Sequence, residues 1–401
     1  MDTEVLVVGG GATGVGVARD LAMRGVDVVL AERGGLNAGT SGRSHGLLHS
    51  GARYAEHDPD GARECIRENR ILKDIAGEAV RDTRGLFVQL DSDDPGFFDE
   101  KLAACRDLSI PATVYDGDDA RGLVSGLPDG VERALEVPDA VIYPSRLVAA
   151  TAGSARDHGA RILTHTPVEG LLTTGGEVSG ASTSEGEIRA EHVVNATGAW
   201  AGDLARTADI DLEMTPTKGV MVTVEYDDLD TVLNRCRPPA DGDIVVPHED
   251  TVVLGTTSVE VDDPDGDLES REEVERMRAE CADLLPAVAD AALDHAYWGV
   301  RPLYEPSGVA EGRGISRGFF VLDHAERDSV SGLTSVVGGK LTTYRLMAEA
   351  TADHVTDLLN VDAECRTAEE ELPGADDVEA LDSFVREFDA GGPADVDVLS
   401  T

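Results

Sequence analysis

A glycine-rich turn between two apolar segments is the feature that most constrains the fold of this chain. Residues Val5–Val8 form a continuous apolar run, which is typical of a buried parallel strand. The pattern Gly9-x-Gly11-x-x-Gly14 follows, and apolar residues at helical spacing then continue as far as Gly25. A second β-rich run, Val26–Ala31, stops at Glu32. This order predicts a βαβ unit at the start of an α/β domain.

The same turn indicates a dinucleotide site. Glycines at these positions let the backbone approach a pyrophosphate, and the N-terminus of the following helix stabilises the anion. Glu32 stands 18 residues after Gly14, where a carboxylate binds ribose hydroxyls. An acidic residue there favours a free 2′-hydroxyl, so FAD or NAD fits better than NADP. The turn Ala196-Thr197-Gly198, after another predicted strand, is placed to close over the same cofactor.

The net charge of −44, from 78 acidic and 34 basic residues, excludes several classes of partner. Such a surface repels phosphate backbones and anionic lipids, so we expect no nucleic acid and no polybasic membrane contact. The acids are spread along the chain, which indicates a halophilic source, and we take it to be archaeal. The basic residues include only four lysines, Lys73, Lys101, Lys218 and Lys340. In so acidic a composition, we expect each of the few lysines to have a specific structural or functional role.

The five cysteines are widely spaced and include no C-x-x-C pair. This argues against an iron–sulfur or zinc site and against a disulfide framework, so we expect no metal. The first residues lack a basic region and a long apolar region, so we expect no signal peptide. No run of 18 apolar residues occurs, so we expect no direct membrane insertion.

Further elements follow from the same patterns. We expect a helix at residues 145–159 and another at 341–359. A third, at about 270–285, opens with a capping box formed by Ser270 and Glu273. The predicted strands include residues 161–164, 168–172, 187–190, 192–196, 220–225, 243–246 and 252–255.

Small polar and basic residues mark a second functional region. Residues 39–54 are rich in glycine and contain Arg43, His45, His49 and Arg53, and a glycine-rich loop of this length is usually functional. Three later segments place Arg301, Arg317 and Lys340 among glycines. Each arginine alone is typical of a surface ion pair. Lys340, however, follows a predicted strand and opens a helix, so its ammonium and backbone donors point to a small anion, such as a phosphate. We interpret the acidic run at residues 262–267 as a surface turn, because its glycine is misplaced for an EF-hand.

These segments together resemble a known family over about residues 3–375: the catalytic A subunit of anaerobic FAD-dependent glycerol-3-phosphate dehydrogenase. The most specific pieces are residues 9–20, 42–55, 234–237, 255–258, 299–303, 322–328 and 338–347. The resemblance implies a glutathione-reductase-type (D-amino-acid-oxidase-like) Rossmann domain that binds FAD, with a mixed-sheet α+β substrate domain. The implied FAD domain takes residues 1–84, 140–215 and 328–362, the substrate domain takes 85–139 and 216–327, and residues 363–401 form an acidic tail.

The resemblance also implies the reaction and its residues. The activity is quinone-linked oxidation of sn-glycerol 3-phosphate to dihydroxyacetone phosphate, with hydride transfer from C2 to flavin N5. The implied substrate residues are Arg53, Tyr54, Arg301, Arg317, Lys340 and Thr342. The implied FAD residues are Gly9, Gly11, Gly14, Glu32, Arg33, Ser41, Ser44, Val168, Gly198 and Gly339. For the base that takes the C2 hydroxyl proton we favour His49, because imidazole titrates near neutral pH. His45, His248 and Lys340 are the alternatives.

The resemblance further implies partner B and C subunits, which would carry electrons to quinone, and a cytoplasmic protein held at the inner face of the membrane through them. Two other functions stay open from the residues alone. One is an amine-oxidising flavoenzyme of the glycine or sarcosine oxidase type, and the other is a flavin-binding subunit without its own catalysis. The family's A subunits usually continue into a cysteine-bearing C-terminal domain, and this sequence ends about where that domain would begin.

Overall fold

The computed structural model describes residues 1–266, 270–305 and 318–399. The strands in these ranges are β1 (Asp2–Val8), β2 (Val28–Ala31), β3 (Leu47–Leu48), β4 (Val80–Arg81), β5 (Gly85–Leu90), β6 (Thr113–Asp116), β7 (Val131–Val137), β8 (Ala140–Ile142), β9 (Arg161–Leu163), β10 (Val168–Thr174), β11 (Glu177–Thr183), β12 (Gly186–Asn195), β13 (Met214–Glu225), β14 (Val232–Arg235), β15 (Ile244–Pro247), β16 (Thr251–Gly255), β17 (Val259–Glu260), β18 (Leu293–Tyr304), β19 (Phe319–Asp323) and β20 (Leu333–Gly338). The helices are α1 (Ala12–Met23), α2 (Pro59–Ile75), α3 (Pro95–Asp107), α4 (Gly117–Leu123), α5 (Pro144–Asp157), α6 (Ala201–Arg206), α7 (Arg271–Ala282), α8 (His324–Asp328), α9 (Tyr344–Leu359) and α10 (Val378–Glu387).

The predicted βαβ unit is confirmed and lies at the centre of the first large sheet. Its parallel strands run in the order β9-β2-β1-β12-β20, and Val5 of β1 pairs with Val28 and with His192. The side chains of β1 alternate between two cores: Val5 and Val7 pack beneath α1, α5 and α9, whereas Leu6 and Val8 face the other side. Burial on both faces explains why this strand is apolar at every position from Val5 onward.

Antiparallel strands complete the first sheet at its edge. The β10–β11 hairpin pairs with the first half of β12, and β19 pairs with β20. The resemblance places residues 216–327 in the substrate domain, but β19 hydrogen-bonds into the first sheet. The sequence also predicts two strands at residues 187–190 and 192–196. They form one strand because exposed Glu191 fits the alternation of inward and outward side chains and does not interrupt it.

The second large sheet is mixed and carries the order β18-β13-β16-β15-β14-β5-β7-β6. All its neighbouring strands are antiparallel except β14 and β5. The helix α7 lies against β13 and β16. Ser270 caps α7 by accepting from the Glu273 amide, but the Glu273 carboxylate accepts instead from Lys218 at 2.5 Å and from Thr257 at 2.7 Å.

The C-terminal segment is folded onto the first domain as far as it is described, although its acidic composition predicts a tail. The helix α10 packs against α5 and buries Leu381 and Val385. Two acids of the C-terminal segment are buried and paired: Asp382 pairs with Arg146 at 2.8 Å, and Asp395 accepts from the Ser145 hydroxyl at 2.6 Å. Acidic residues that are paired or hydrogen-bonded can be buried, and composition does not reveal that pairing.

Two features are absent from residues 1–266, 270–305 and 318–399. No helix in these ranges is long and apolar enough to cross a bilayer. Within the same described ranges, no three His, Cys, Asp or Glu side chains are grouped so that they could hold a metal ion.

Candidate active site

A cavity of about 680 Å³ lies between the two large sheets, where β1, β2, β12 and β20 end. The carboxyl ends of parallel strands are the usual place for a ligand in this type of sheet. We call its two parts the glycine end and the cationic end. The glycine end comprises the cavity-lining residues within 8–13, 31–41, 168–169, 196–207 and Asp265, and the cationic end comprises those within 43–54, 219–256, 299–302 and 338–347.

Close backbone packing shapes the turn at the glycine end. Gly9 has φ of +111°, and a β-carbon there would lie 2.5 Å from the Ala196 carbonyl oxygen. At Gly14 a β-carbon would lie 1.9 Å from the Gly9 carbonyl oxygen. Gly9 and Gly11 line the cavity, whereas Gly14 does not. Gly14 therefore lets α1 approach the turn closely and does not itself face the cavity.

Glu32, which directly follows β2, hydrogen-bonds to this turn. Its carboxylate accepts from the Gly10 amide at 2.6 Å and from the Gly34 amide at 3.0 Å. Gly198 lines the cavity on the β12 side, and a β-carbon there would meet nothing within 4 Å, so the backbone at Gly198 is open toward the cavity. A carboxylate beside a glycine turn at a helix N-terminus, facing an open backbone wall, fits the ribose and pyrophosphate of a dinucleotide such as FAD.

The outer rim of the glycine end contains a cluster that sequence patterns do not reveal. Arg33 stacks over the Trp200 ring at 4.3 Å and pairs with Asp265 at 3.1 Å. The Trp200 indole also donates to Asp265 at 2.8 Å. The interpretation of residues 262–267 as a surface turn is therefore incomplete, because these two bonds hold Asp265 at the rim, where it lines the cavity.

The other implied FAD residues line the cavity as well. They are Ser41, Ser44, Val168 and Gly339. The Ser41 hydroxyl accepts from the Ala12 amide at 3.0 Å and so occupies one donor of the first turn of α1. Ser44 and Gly339 belong to the cationic end, so the implied FAD residues extend through both parts of the cavity.

The cationic end gathers side chains from segments far apart in the sequence. Arg53, Tyr54, Arg301, Lys340 and Thr342 all line it. Arg317 lies outside the described residues, so its predicted role is not addressed by the structure.

Lys340 and Tyr54 face each other in this region. The Lys340 ammonium lies 4.6 Å from the centre of the Tyr54 ring and 4.0 Å from Asp58. The sequence predicts a helix that begins beside Lys340, and this is confirmed: a 3-10 turn over Leu341–Thr343 begins there and leads directly into α9. The Lys340 amide donates to the Thr343 hydroxyl at 3.3 Å. Lys340 therefore offers a buried ammonium group to the cavity at the start of a helical segment.

Arg53 and Arg301 are held by groups that lie outside or at the edge of the cavity. Arg53 pairs with fully buried Asp243 at 3.5 Å. Arg301 donates to the Thr256 hydroxyl at 2.6 Å and to the Thr257 carbonyl at 3.1 Å. These partners restrict both guanidinium groups before any ligand arrives.

The histidines separate into candidates and non-candidates for the base. His45 and His49 line the cavity, and their rings meet edge to face at 5.8 Å. The His49 Nε2 atom lies 3.5 Å from the Tyr54 hydroxyl. His248 is buried away from the cavity, with its Nδ1 atom 3.3 Å from Asp397. The geometry therefore does not favour His248, and it leaves His49 beside the predicted substrate residues.

Buried polar groups fix the loop that carries His49. The His49 amide donates to the Thr342 hydroxyl at 3.1 Å, and the Ser50 amide donates to Asp139 at 2.7 Å. Burial raises the pKa of Asp139, although hydrogen bonds from Ser50 oppose that shift. Asn69 donates to the Leu48 carbonyl at 3.4 Å. No sequence pattern predicts Asp139 and Asn69, because they lie outside the loop that they hold.

The charges of the two ends differ. Of the described residues, the acidic side chains that line the cavity all belong to the glycine end: Glu32, Glu169, Asp203 and Asp265. Among the described residues, no carboxylate lines the cationic end, which contains Arg43, Arg53, Arg301 and Lys340. In a protein of net charge −44, this end is locally positive and suited to a small anion.

Comparisons with known proteins agree on the family. A model of the FAD-dependent oxidoreductase family, DAO, matches residues 4–345. The chain is 51% identical to the A1 subunit of anaerobic glycerol-3-phosphate dehydrogenase from Haloferax volcanii, over 97% of this chain and 70% of that protein. It is 43% identical to the corresponding A subunit from Escherichia coli K12, over 93% of this chain and 70% of that protein. The structure of glycerol-3-phosphate dehydrogenase from Bacillus halodurans with FAD is similar with a TM-score of 0.71, at 25% identity, over 97% of this chain and 71% of that one.

Proposed function

Because this chain belongs to the FAD-dependent oxidoreductase family and, within it, to the anaerobic glycerol-3-phosphate dehydrogenase A subunits, we propose that it oxidises sn-glycerol 3-phosphate to dihydroxyacetone phosphate. FAD is its cofactor. The observation that carries the proposed substrate is the cationic end, where Arg53, Arg301 and Lys340 line a part of the cavity without a carboxylate among the described residues. A phosphate dianion needs several cationic donors, whereas the single carboxylate of an amino acid needs fewer.

The three cations hold the substrate phosphate and thereby fix C2 in the cavity. Two of these positions are prepared in advance, because Asp243 holds Arg53 and Thr256 holds Arg301. Orientation of this kind lowers a reaction barrier by removing freedom that the reactants would otherwise lose in the transition state. FAD, when bound, supplies the acceptor for the hydrogen that leaves C2 with its electron pair.

His49 takes the proton of the C2 hydroxyl. It is a buried imidazole between His45 and Tyr54 and lines the cavity beside the cations. An imidazole is a suitable base near neutral pH. The Tyr54 hydroxyl, 3.5 Å from its Nε2 atom, orients the ring.

The electrons leave through partner subunits. The relatives from Haloferax volcanii and Escherichia coli are named as the A1 and A subunits of their enzymes, which supports an assembly of several chains. Partners of the B and C type would receive the electrons and pass them to quinone, and they would hold this chain at the inner face of the membrane.

Substrate reduction of the flavin tests the proposed reaction. The purified flavoprotein, in concentrated KCl without oxygen, receives either glycerol 3-phosphate or glycine while the absorbance of oxidised flavin is followed. Bleaching by the phosphate ester alone is the expected result. Bleaching by glycine would indicate an amine oxidase, and no bleaching by any substrate would indicate a flavin-binding subunit without catalysis.

Substitution of Arg53 tests the anion site itself. Truncating one partner of a buried charge pair costs about 2–5 kcal/mol, so Arg53→Ala should raise the KM for glycerol 3-phosphate by roughly 30-fold or more. FAD retention should change little, because Arg53 is one of the implied substrate residues and not one of the implied FAD residues. Arg33→Ala is the matched control, since Arg33 lines the glycine end and should leave this KM nearly unchanged. Wild-type kinetics in Arg53→Ala would refute the assignment.

A further inference from the structure

Lys101 is a buried lysine that does not line the cavity. It lies on α3, its side chain is 3% exposed, and it is one of only four lysines in a chain of 401 residues. A long, strongly hydrated cation is rarely buried unless its charge is compensated. The position of Lys101 in so acidic a protein therefore needs an explanation.

The partners of Lys101 lie on both sides of two substrate residues. Its ammonium donates to the Ala52 carbonyl at 2.9 Å and pairs with the Glu56 carboxylate at 2.6 Å. Arg53 and Tyr54 stand between these two partners in the sequence, and both line the cavity. One cation thus ties together the start and the end of the turn formed by residues 52–56.

The surroundings of the ammonium make this tie rigid. Phe87 and Phe97 approach it with ring centres at 4.7 Å and 5.2 Å, so the aromatic faces stabilise the charge. Phe87 belongs to β5 of the second sheet, and Glu56 is itself 15% exposed. A buried ion pair of this kind adds little net stability but fixes geometry strongly, because separating its members leaves an uncompensated charge.

We propose that Lys101 is a positioning residue for substrate binding: it closes the 52–56 turn against the second sheet and so fixes the directions in which Arg53 and Tyr54 enter the cavity. The inference rests on the proposed function. The role of Lys101 differs from that of Asp243. Asp243 pairs directly with the Arg53 side chain, whereas Lys101 binds the Ala52 carbonyl and so acts on the backbone that carries Arg53.

Lys101→Met is the main test, because methionine keeps an unbranched apolar stem between the two phenylalanines and removes the charge. Small misplacements of a binding group produce large kinetic effects, so we expect the KM for glycerol 3-phosphate to rise roughly tenfold. The kcat should change by less than the KM, and FAD content should stay at the wild-type level. A binding measurement accompanies it: the dissociation constant of inorganic phosphate, followed by its perturbation of the flavin spectrum, should rise by a similar factor.

Lys73→Met is the matched control. Lys73 also donates to a carbonyl, that of Pro138, and pairs with a carboxylate, that of Asp82, but neither partner flanks the 52–56 turn. This variant should keep the wild-type KM. Should Lys101→Met fail to fold, Lys101→Gln provides the same loss of charge with a side chain that still donates hydrogen bonds, and the same rise in KM is expected.

A double variant separates positioning from general destabilisation. If Lys101 acts through the turn, Lys101→Met combined with Arg53→Ala should be little worse than Arg53→Ala alone, since residues in one network are not additive. Fully additive effects, or a wild-type KM in a folded Lys101 variant, would overturn the proposal. If the wild-type flavin is not reduced by glycerol 3-phosphate at all, the proposed function fails instead, and the two failures are thereby distinguished.

Discussion

The two ends of the cavity are built by different means. The glycine end is built around a turn at the strand termini, where Gly9, Gly11 and Gly198 line the cavity. The cationic end presents cationic side chains, and two of its arginines depend on side-chain partners: Arg53 on Asp243, Arg301 on Thr256. Backbone geometry at the first end is set by steric limits that only glycine meets, whereas geometry at the second is set by polar and charged partners. The two ends should therefore fail in different ways when they are mutated.

The largest effect is expected at the glycine end, from Gly14→Ala. The added β-carbon would lie 1.9 Å from the Gly9 carbonyl oxygen, so the turn or α1 must move. Overpacking of this kind costs about 1–3 kcal/mol or more, and here the displaced atoms belong to the turn that lines the cavity. We expect loss of most bound FAD together with a lower thermal unfolding temperature, measured by flavin content and by thermal denaturation.

Gly122→Ala is the control for that substitution. Gly122 lies in α4, and a β-carbon there would meet nothing within 4 Å. Alanine favours a helix over glycine by up to about 1 kcal/mol, so this variant should be as stable as the wild type or slightly more so. Retention of FAD by Gly14→Ala at the wild-type level would contradict the steric account of the turn.

A smaller and different effect is expected at the cationic end, from Arg301→Lys. The charge is kept, but the planar group that reaches both Thr256 and Thr257 is lost. We expect the KM for glycerol 3-phosphate to rise by roughly 10- to 100-fold, equivalent to about 1.4–2.8 kcal/mol, with FAD content unchanged. Steady-state kinetics and flavin absorbance measure the two quantities on one sample.

Arg278→Lys provides the matched control at a distance from the cavity. Arg278 also donates to backbone carbonyls, those of Ala289 and Ala291, but it does not line the cavity. It should show wild-type kinetics. If Arg301→Lys lost FAD as readily as substrate affinity, the division of the cavity into two independently built ends would be wrong.

The same division explains what can and cannot be predicted from the sequence. The glycine end depends on neighbours in the chain, so the fingerprint and Glu32 are enough to predict the dinucleotide site. The supports of the cationic end are not local: Asp139, Asp243 and Lys101 are buried far along the chain from the residues that they hold. Nothing in their own segments marks them, and only the fold shows their partners. Composition offers one indirect signal, which is the scarcity of lysine. The side chains of Lys101, Lys218 and Lys340 are nearly buried, and that of Lys73 is only 18% exposed.

The smallest effect is expected at the outer rim, where the glycine end does depend on a charge pair. Arg33 and Asp265 are 53% and 55% exposed, so their interaction is worth about 0–1 kcal/mol and is screened by salt. Asp265→Asn should therefore speed FAD release by no more than about fivefold in dilute buffer, and the difference from wild type should vanish in concentrated KCl. Release is measured by the appearance of free flavin fluorescence after dilution. Because the introduced amide oxygen can still accept from the Trp200 indole, only the ionic part is removed, and the salt dependence isolates it. An effect that persists unchanged at high salt would mean that the rim acts through packing, as the rest of the glycine end does, and charge would then matter only at the cationic end.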